Sequence, residues 1–159
     1  MIILGIDPGT ASVGYALLKG DGRIKPELLS AGLLDVRSRE NAQRMAEIHR
    51  ALERIIKQWR PDRLSVEKLF FAKNTKTALA VSEGRGVILL TASLAGLTVY
   101  EYTPLEIKCA VSGDGRADKL QIQKMIRFIF PQYAGNARDD VFDAIAAALT
   151  CYFSANNNR

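Results

Sequence analysis

Short apolar runs near the start of the chain, each bounded by turn-forming residues, predict strands. Residues 2–7 are apolar up to Asp7 and are followed by a Pro-Gly pair, which indicates a buried strand that ends in a turn. Residues 13–18 and 28–36 predict two more strands, separated by a Gly-Asp-Gly turn signal. The first part of the chain is therefore expected to form an antiparallel meander.

The spacing of the apolar residues then becomes helical. Between Ser38 and Pro61 they recur every three or four positions, which predicts an amphipathic helix that ends before the proline. Residues 74–95 predict a second helix, which two glycines weaken. His49 lies on the apolar edge of the first helix, so we expect it to be packed or hydrogen-bonded and not catalytic.

The remaining pattern alternates strands and helices. Residues 63–67 and 98–102 predict strands, with a short helix after the second one. Residues 122–129 predict another helix, and residues 140–153 predict a last one that is apolar but acidic in its first turn. This order predicts an α/β domain with a mixed sheet.

Composition narrows the class of protein. The 159 residues, 48% of them hydrophobic, suit a single domain over residues 1–159. The sequence has no apolar run near the roughly 20 residues of a membrane span and no signal-peptide pattern at its start, so we expect a cytoplasmic protein with no membrane partner. Cys109 and Cys151 lack zinc-site spacing and are expected to be ordinary reduced residues.

The net charge of +5 comes from basic residues scattered along the chain. It favours a polyanionic partner such as nucleic acid, although solubility alone would also explain it. Charge therefore does not decide the function.

Acidic residues stand where apolar segments begin or end. Asp7 and Glu67 each close an apolar predicted strand, and Asp140 and Asp143 open an apolar predicted helix. Singly, each could be a turn residue, a surface ion pair or a helix-dipole partner. Together they predict a site for hard cations such as Mg²⁺, and two ions about 4 Å apart would suit phosphodiester hydrolysis. Asp139 shares a helical face with Asp143, so geometry alone does not choose between Asp139 and Asp140.

Several motifs follow one another along the chain. They are Gly5-Ile6-Asp7-Pro8-Gly9 with Gly14-Tyr15, the segment Glu-Lys-Leu-Phe-Phe-Ala-Lys-Asn at 67–74, Gly84-Arg85-Gly86, the pair Lys108 and Lys119, and Asp140-Val141-Phe142-Asp143-Ala144. Their order and spacing resemble the RuvC family of Holliday-junction resolvases, and the resemblance covers residues 3–149. It implies an RNase H-like fold with a five-stranded mixed sheet in the order 3-2-1-4-5, flanked by helices.

The resemblance also implies a chemistry and a set of site residues. It implies an Mg²⁺-dependent endonuclease, with two ions per site and Mn²⁺ as a substitute, that makes paired symmetric nicks in four-way junctions during homologous recombination and DNA repair. By position, the catalytic and metal-binding acids are Asp7, Glu67, Asp140 and Asp143. The family spacing thus favours Asp140 over Asp139.

Basic and aromatic residues acquire roles from the same resemblance. Lys108 and Lys119 correspond to catalytic lysines near the scissile phosphate, although without the resemblance they would be read as solvated lysines. Phe70 corresponds to a ring that stacks on an unpaired base, with core packing as the competing interpretation. Further candidate phosphate contacts are Lys73, Lys76, Arg85 and Arg116.

Resolution of a four-way junction needs two symmetric incisions, so a two-fold homodimer is expected. The helix over residues 77–94 is the candidate interface. The resemblance also implies a branch-migration complex of the RuvA and RuvB type as a partner.

Three other functions share part of the pattern. The Gly-x-Asp-x-Gly-Thr sequence also occurs in actin-like and sugar-kinase-like ATP-binding domains, but these need a second, similar domain. A non-catalytic DNA-binding module would explain the charge but not the placed acids. A nuclease of the same fold that acts on RNA would keep the chemistry, and only the wider motif set argues against it.

Overall fold

The computed structural model describes residues 1–9, 12–21, 24–68, 75–133 and 138–157, without the side chains of 75–77 and 156–157. Its strands are β1 (Ile2–Asp7), β2 (Gly14–Lys19), β3 (Glu27–Leu33), β4 (Arg63–Glu67) and β5 (Thr98–Tyr102). They form one sheet in the order β3-β2-β1-β4-β5, in which β1 pairs antiparallel with β2 and parallel with β4. The predicted mixed sheet and its order are confirmed.

The helices lie in the segments where the sequence predicted them. They are α1 (Asn41–Trp59), α2 (Thr75–Leu94), α3 (Pro104–Ser112), α4 (Lys119–Ile129) and α5 (Asp139–Asn157), with a 3₁₀ turn at Pro131–Tyr133. Capping boxes begin α3, through Thr103 and Glu106, and α4, through Asp118 and Gln121. None of the described helices is both long and apolar enough to cross a membrane.

The third strand is shorter than the predicted 28–36. It ends at Leu33, after which the Leu34 amide donates to the Val13 carbonyl at 2.9 Å and the Val36 amide donates to the Leu34 carbonyl at 2.9 Å. This second bond spans two residues and closes a tight turn, so strand pairing stops there. Leu34 is still buried, which is why the apolar pattern continues past the strand.

Side chains of β1 alternate between two apolar clusters, one on each face of the sheet. Ile3 belongs to the cluster that contains residues of α3, α4 and α5, whereas Leu4 and Ile6 pack with residues of α1 and α2. By the same alternation, Gly5 and Asp7 lie on the α5 face. The carboxylate that ends β1 is therefore on the side of the sheet where the acidic helix packs.

Helix α5 packs directly on the backbone of β1 and β2. A Cβ atom at Gly5 would lie 2.2 Å from the Ala144 carbonyl oxygen, and one at Gly14 would lie 2.0 Å from the Asp140 carbonyl oxygen. Both distances are far below van der Waals contact, so each position requires glycine for close approach. The first turns of α5 are thereby held against the central strands.

We expect Gly5→Ala to lower the free energy of unfolding by about 1 to 3 kcal/mol, because the added methyl would force the helix away from the sheet. Gly86→Ala is the matched control, since a Cβ there meets nothing within 4 Å and alanine suits a helix better than glycine. Urea unfolding followed by circular dichroism measures both. Equal stabilities of the two variants would contradict the close-packing argument.

Candidate functional site

Two of the predicted acids end neighbouring strands. Asp7 is the last residue of β1 and Glu67 is the last residue of β4, and the two strands run parallel with Ile6 opposite Val66. Ser65 donates a hydrogen bond of 2.6 Å to a carbonyl oxygen of α5, so Glu67, two residues later, lies on the same face as Asp7. The strand ends therefore deliver both carboxylates to one edge, beside the start of α5.

The pKa of Asp7 is raised by burial and by the charges of the other three predicted acids. Burial is the largest cause that raises its pKa to about 7, followed by the negative charges of Asp143, Asp140 and Glu67, while Lys119 acts in the opposite direction. Four carboxylates thus converge at this edge of the sheet. The structure brings together all four acids that the sequence singled out.

Glu67 and Asp143 each have one lysine nearby that favours the charged carboxylate. Burial, and then Asp143, raises the pKa of Glu67, whereas Lys108 lowers it. Burial also raises the pKa of Asp143, whereas the charge and hydrogen bond of Lys119 lower it. The two lysines therefore offset part of the repulsion among the acids.

The lysines and two of the acids line one cleft of about 250 Å³. Its lining residues are Glu67, Pro104, Ile107, Lys108, Lys119, Ile122, Asp143 and Ala146. One part of the wall is apolar, and the other carries both signs of charge. A phosphate group in this cleft would meet ammonium groups on the same wall as carboxylates that suit a cation.

The structure distinguishes Asp140 from Asp139. The Asp140 side chain is 26% exposed, accepts a hydrogen bond from the Ser12 hydroxyl and lies 3.9 Å from Arg138 Nε. The Asp139 side chain is 65% exposed and accepts a 3.0 Å hydrogen bond from Gln123 Nε2. Of the two, Asp140 is the residue whose charge raises the pKa of Asp7, and this agrees with the family spacing.

The acids have the oxygen donors that a hard cation binds, but their side chains do not converge tightly enough to form a metal site as they stand. Among the described residues, no three side chains of His, Cys, Asp or Glu are close enough together to hold a metal. The hydroxyl of Ser12 and the amine of Lys119 are bonded to Asp140 and Asp143 instead. The donor set consists of carboxylate oxygens with excess negative charge, and this is the donor chemistry that Mg²⁺ prefers.

Arg85 has partners within the protein, and its expected phosphate role stays a prediction. Its side chain is 15% exposed and forms an ion pair with Glu101, and its Nε lies 3.4 Å from the Glu67 carbonyl oxygen, to which it donates. Burial lowers its pKa. The guanidinium joins α2 to the ends of β4 and β5.

The other predicted DNA contacts are less well defined. Arg116 is exposed in the segment before α4, and its backbone amide donates to Asp114. Phe70 and Lys73 lie outside the described residues, as does the side chain of Lys76. All four stay predictions.

Residues without an expected catalytic role have ordinary environments. His49 Nδ1 lies 2.9 Å from Thr91 Oγ1 and joins α1 to α2, as expected of a hydrogen-bonded histidine. Cys109 is exposed and Cys151 is buried, and both are free thiols.

Sequence reasoning missed three residues that contact the acids: Ser12, Gln123 and Arg138. Ser12 contacts an acid 128 positions away, and Gln123 lies within an ordinary amphipathic helix. Only Arg138 carried a signal, since it stands next to the acidic helix start.

The chain matches, over residues 3–151, the family described as crossover junction endodeoxyribonuclease RuvC. It belongs to the RuvC family. A RuvC protein of Halothermothrix orenii is 46% identical over 160 residues, covering 100% of this chain and 96% of the relative. One from Ruminiclostridium cellulolyticum is 44% identical, covering 94% of this chain and 90% of the relative. The resemblance inferred from the motifs is confirmed.

Solved RuvC structures share the fold. Thermus thermophilus RuvC in complex with Holliday junction substrate has a TM-score of 0.91 at 31% identity, covering 99% of this chain and 96% of that one. The yeast mitochondrial Holliday junction resolvase Ydc2 has a TM-score of 0.66 at 13% identity, covering 98% and 81%, and supports the fold alone. The predicted RNase H-like fold is confirmed.

We expect Asp7→Asn to stabilise the metal-free protein at neutral and higher pH. The pKa of Asp7 is about 7 in the folded chain against 3.8 ordinarily, so the folded state binds the proton more tightly than the unfolded state. The contribution of Asp7 to wild-type stability should be most favourable below about pH 4, fall as the pH rises to 7 and stay low above it. At pH 8 the variant should gain about 2 to 4 kcal/mol.

Urea unfolding in EDTA at pH 4 and pH 8 measures this difference. Glu27→Gln is the control, because Glu27 is exposed at the start of β3, at the opposite end of the sheet. A gain from Asp7→Asn that is as large at pH 4 as at pH 8 would refute the role assigned to Asp7 ionisation.

Proposed function

We propose that this protein resolves Holliday junctions, making paired symmetric metal-dependent nicks during homologous recombination and DNA repair. The observation that carries the proposal is the convergence of Asp7 with three further carboxylates at one edge of the sheet, in a chain of the RuvC family. The solved structure of Thermus thermophilus RuvC in complex with a Holliday junction substrate supports the same interpretation. The catalytic residues would be Asp7, Glu67, Asp140, Asp143, Lys108 and Lys119.

Mg²⁺ is the proposed cofactor, with two ions per site and Mn²⁺ as a substitute. The residues that would hold it are Asp7, Glu67, Asp140 and Asp143. When bound, it would supply an activated water and stabilise the departing oxygen of the phosphodiester. Asp7 and Glu67 lie at strand ends. Asp140 and Asp143 lie on a helix whose backbone packs directly against glycines of the sheet, so the fold keeps the four carboxylates close together.

The lysines have a separate task in the proposed mechanism. Lys108 and Lys119 line the cleft beside Glu67 and Asp143, where their ammonium groups would neutralise phosphate charge and orient the scissile strand. The attraction of Lys108 to Glu67 and of Lys119 to Asp143 would keep this positive charge beside the scissile phosphate. The rest of the DNA would contact residues such as Arg116, Lys73 and Lys76, with Phe70 stacked on an unpaired base.

A homodimer is proposed because two strands must be cut. The exposed side chains of Leu79, Leu90 and Leu94 lie along one stripe of α2, which supports the candidate interface at 77–94. A branch-migration complex of the RuvA and RuvB type is the proposed protein partner. A cytoplasmic location without a membrane partner stays an expectation from the sequence.

We expect Asp7→Asn, Glu67→Gln, Asp140→Asn and Asp143→Asn each to lower the cleavage rate by more than about 100-fold. Each change removes a charged metal ligand but leaves the basic DNA surface, so junction affinity should stay near that of the wild type. Cleavage of a labelled four-way junction with Mg²⁺ measures the rate, and a gel-shift assay in EDTA measures affinity. Glu27→Gln should keep full cleavage activity, and normal cleavage by Asp7→Asn would refute the site.

The substrate is tested with a panel of labelled nucleic acids. With Mg²⁺, we expect paired nicks in a four-way junction, and little cleavage of duplex DNA or of an RNA–DNA hybrid. Without Mg²⁺ no cleavage is expected, and ATP should be neither bound nor hydrolysed. Preferred cleavage of the hybrid would favour the RNA-directed alternative, and ATP hydrolysis would favour the actin-like one.

A further inference from the structure

Two helix faces meet beside the candidate site and carry four polar side chains. On α4, Lys119 and Gln123 lie four residues apart and therefore share a face. On α5, Asp139 and Asp143 have the same spacing and also share a face. Each helix thus presents one residue near the cleft and one farther along.

The contacts alternate between the two helices. Gln123 Nε2 donates to Asp139 Oδ1 at 3.0 Å, and Asp139 Oδ2 lies 3.3 Å from Lys119 Nζ. Lys119 Nζ also donates to Asp143 Oδ2 at 3.2 Å. The amine of Lys119 is therefore held between two carboxylates, one of which is held in turn by Gln123.

Gln123 is a buried polar residue of α4. It is 8% exposed and lies beside the buried Ile122. A buried amide requires a hydrogen-bond partner, and Asp139 provides one. Breaking this bond would leave the buried amide without its partner, so the bond restrains the Asp139 carboxylate, although the Asp139 side chain is 65% exposed.

Nothing in α4 itself draws the Lys119 amine toward the cleft. Lys119 is the first residue of the helix, where the helix dipole disfavours a cation. Its flexible stem would leave the amine mobile without an anchor. Asp139 supplies that anchor at a position that leaves Asp143 able to turn toward a cation.

We propose that Asp139 and Gln123 are positioning residues, which hold the Lys119 amine beside Asp143, and that Asp139 is not itself a metal ligand. The inference rests on the proposed function, because it explains how the catalytic lysine keeps its place. Asp139 acts through Lys119, and Gln123 acts through Asp139.

A double-mutant cycle on junction cleavage tests this order of action. Asp139→Ala should lower kcat about tenfold, with KM and junction affinity unchanged, and Asp139→Glu should restore most of the rate. Gln123→Met, which keeps the side-chain volume, should cause a smaller loss in kcat. In the Lys119→Ala background, Asp139→Ala should cause no further loss in kcat, because the amine that Asp139 holds is no longer present.

A second measurement does not depend on activity. In the metal-free protein, brief acetylation followed by mass spectrometry reports the reactivity of the Lys119 amine relative to the exposed Lys124 of the same helix. The ratio should rise severalfold in Asp139→Ala and in Gln123→Met. Lys124→Ala serves as the control and should leave the cleavage rate unchanged.

The possible failures are distinct. If the wild type does not cut junctions, the proposed function fails and this inference fails with it. If the wild type cuts and Lys119→Ala is impaired, losses that multiply in the double variant, or unchanged acetylation in Asp139→Ala, would overturn the positioning role alone. A higher Mg²⁺ requirement of Asp139→Ala in the Lys119→Ala background would make Asp139 a metal ligand instead.

Discussion

The close packing of α5 on the central strands is the constraint on which the site depends. Gly5 and Gly14 allow the helix backbone to approach where any side chain would collide, and the carbonyl oxygen facing Gly14 belongs to Asp140 itself. The register of helix and sheet is therefore set by backbone contact at the residue that carries one of the acids. A longer side chain at either glycine would move Asp140 and Asp143 away from Asp7 and would weaken the core in the same step.

This packing brings the acids together at an electrostatic cost. Burial alone disfavours the charge on Asp7, and three neighbouring carboxylates disfavour it further, so its pKa rises to about 7. A fold selected only for stability would place apolar or neutral residues at the end of β1. The chain keeps acids there and opposes two of them with Lys108 and Lys119, an arrangement expected where a cation and a phosphate are to be bound.

The local pattern of apolar and polar residues predicted where strands end, but it could not predict contacts between segments that are distant in the sequence. β1, β4 and β5 have the predicted bounds. The apolar runs of β1 and β4 stop at an acid, and Asp7 and Glu67 were found for that reason. Leu34 extended the apolar pattern past the real end of β3, because burial continued after pairing had stopped. The choice between Asp139 and Asp140 depends on the rotation of α5 against the sheet, which only packing determines.

The basic residues show most clearly what charge alone leaves undecided. Arg85, Lys119 and Arg116 contribute equally to the net charge, yet they stand in three different environments. Arg85 is largely buried and tied to Glu101, Lys119 bridges two carboxylates of α5, and Arg116 is exposed. The charge of a buried arginine is partly offset by the carboxylate to which it is bonded. A lysine shared between two acids can keep its bond to one of them when a cation displaces it from the other. The net charge therefore does not show which basic residues face a nucleic acid, and the positive charge beside Asp143 is one that the protein itself holds in position.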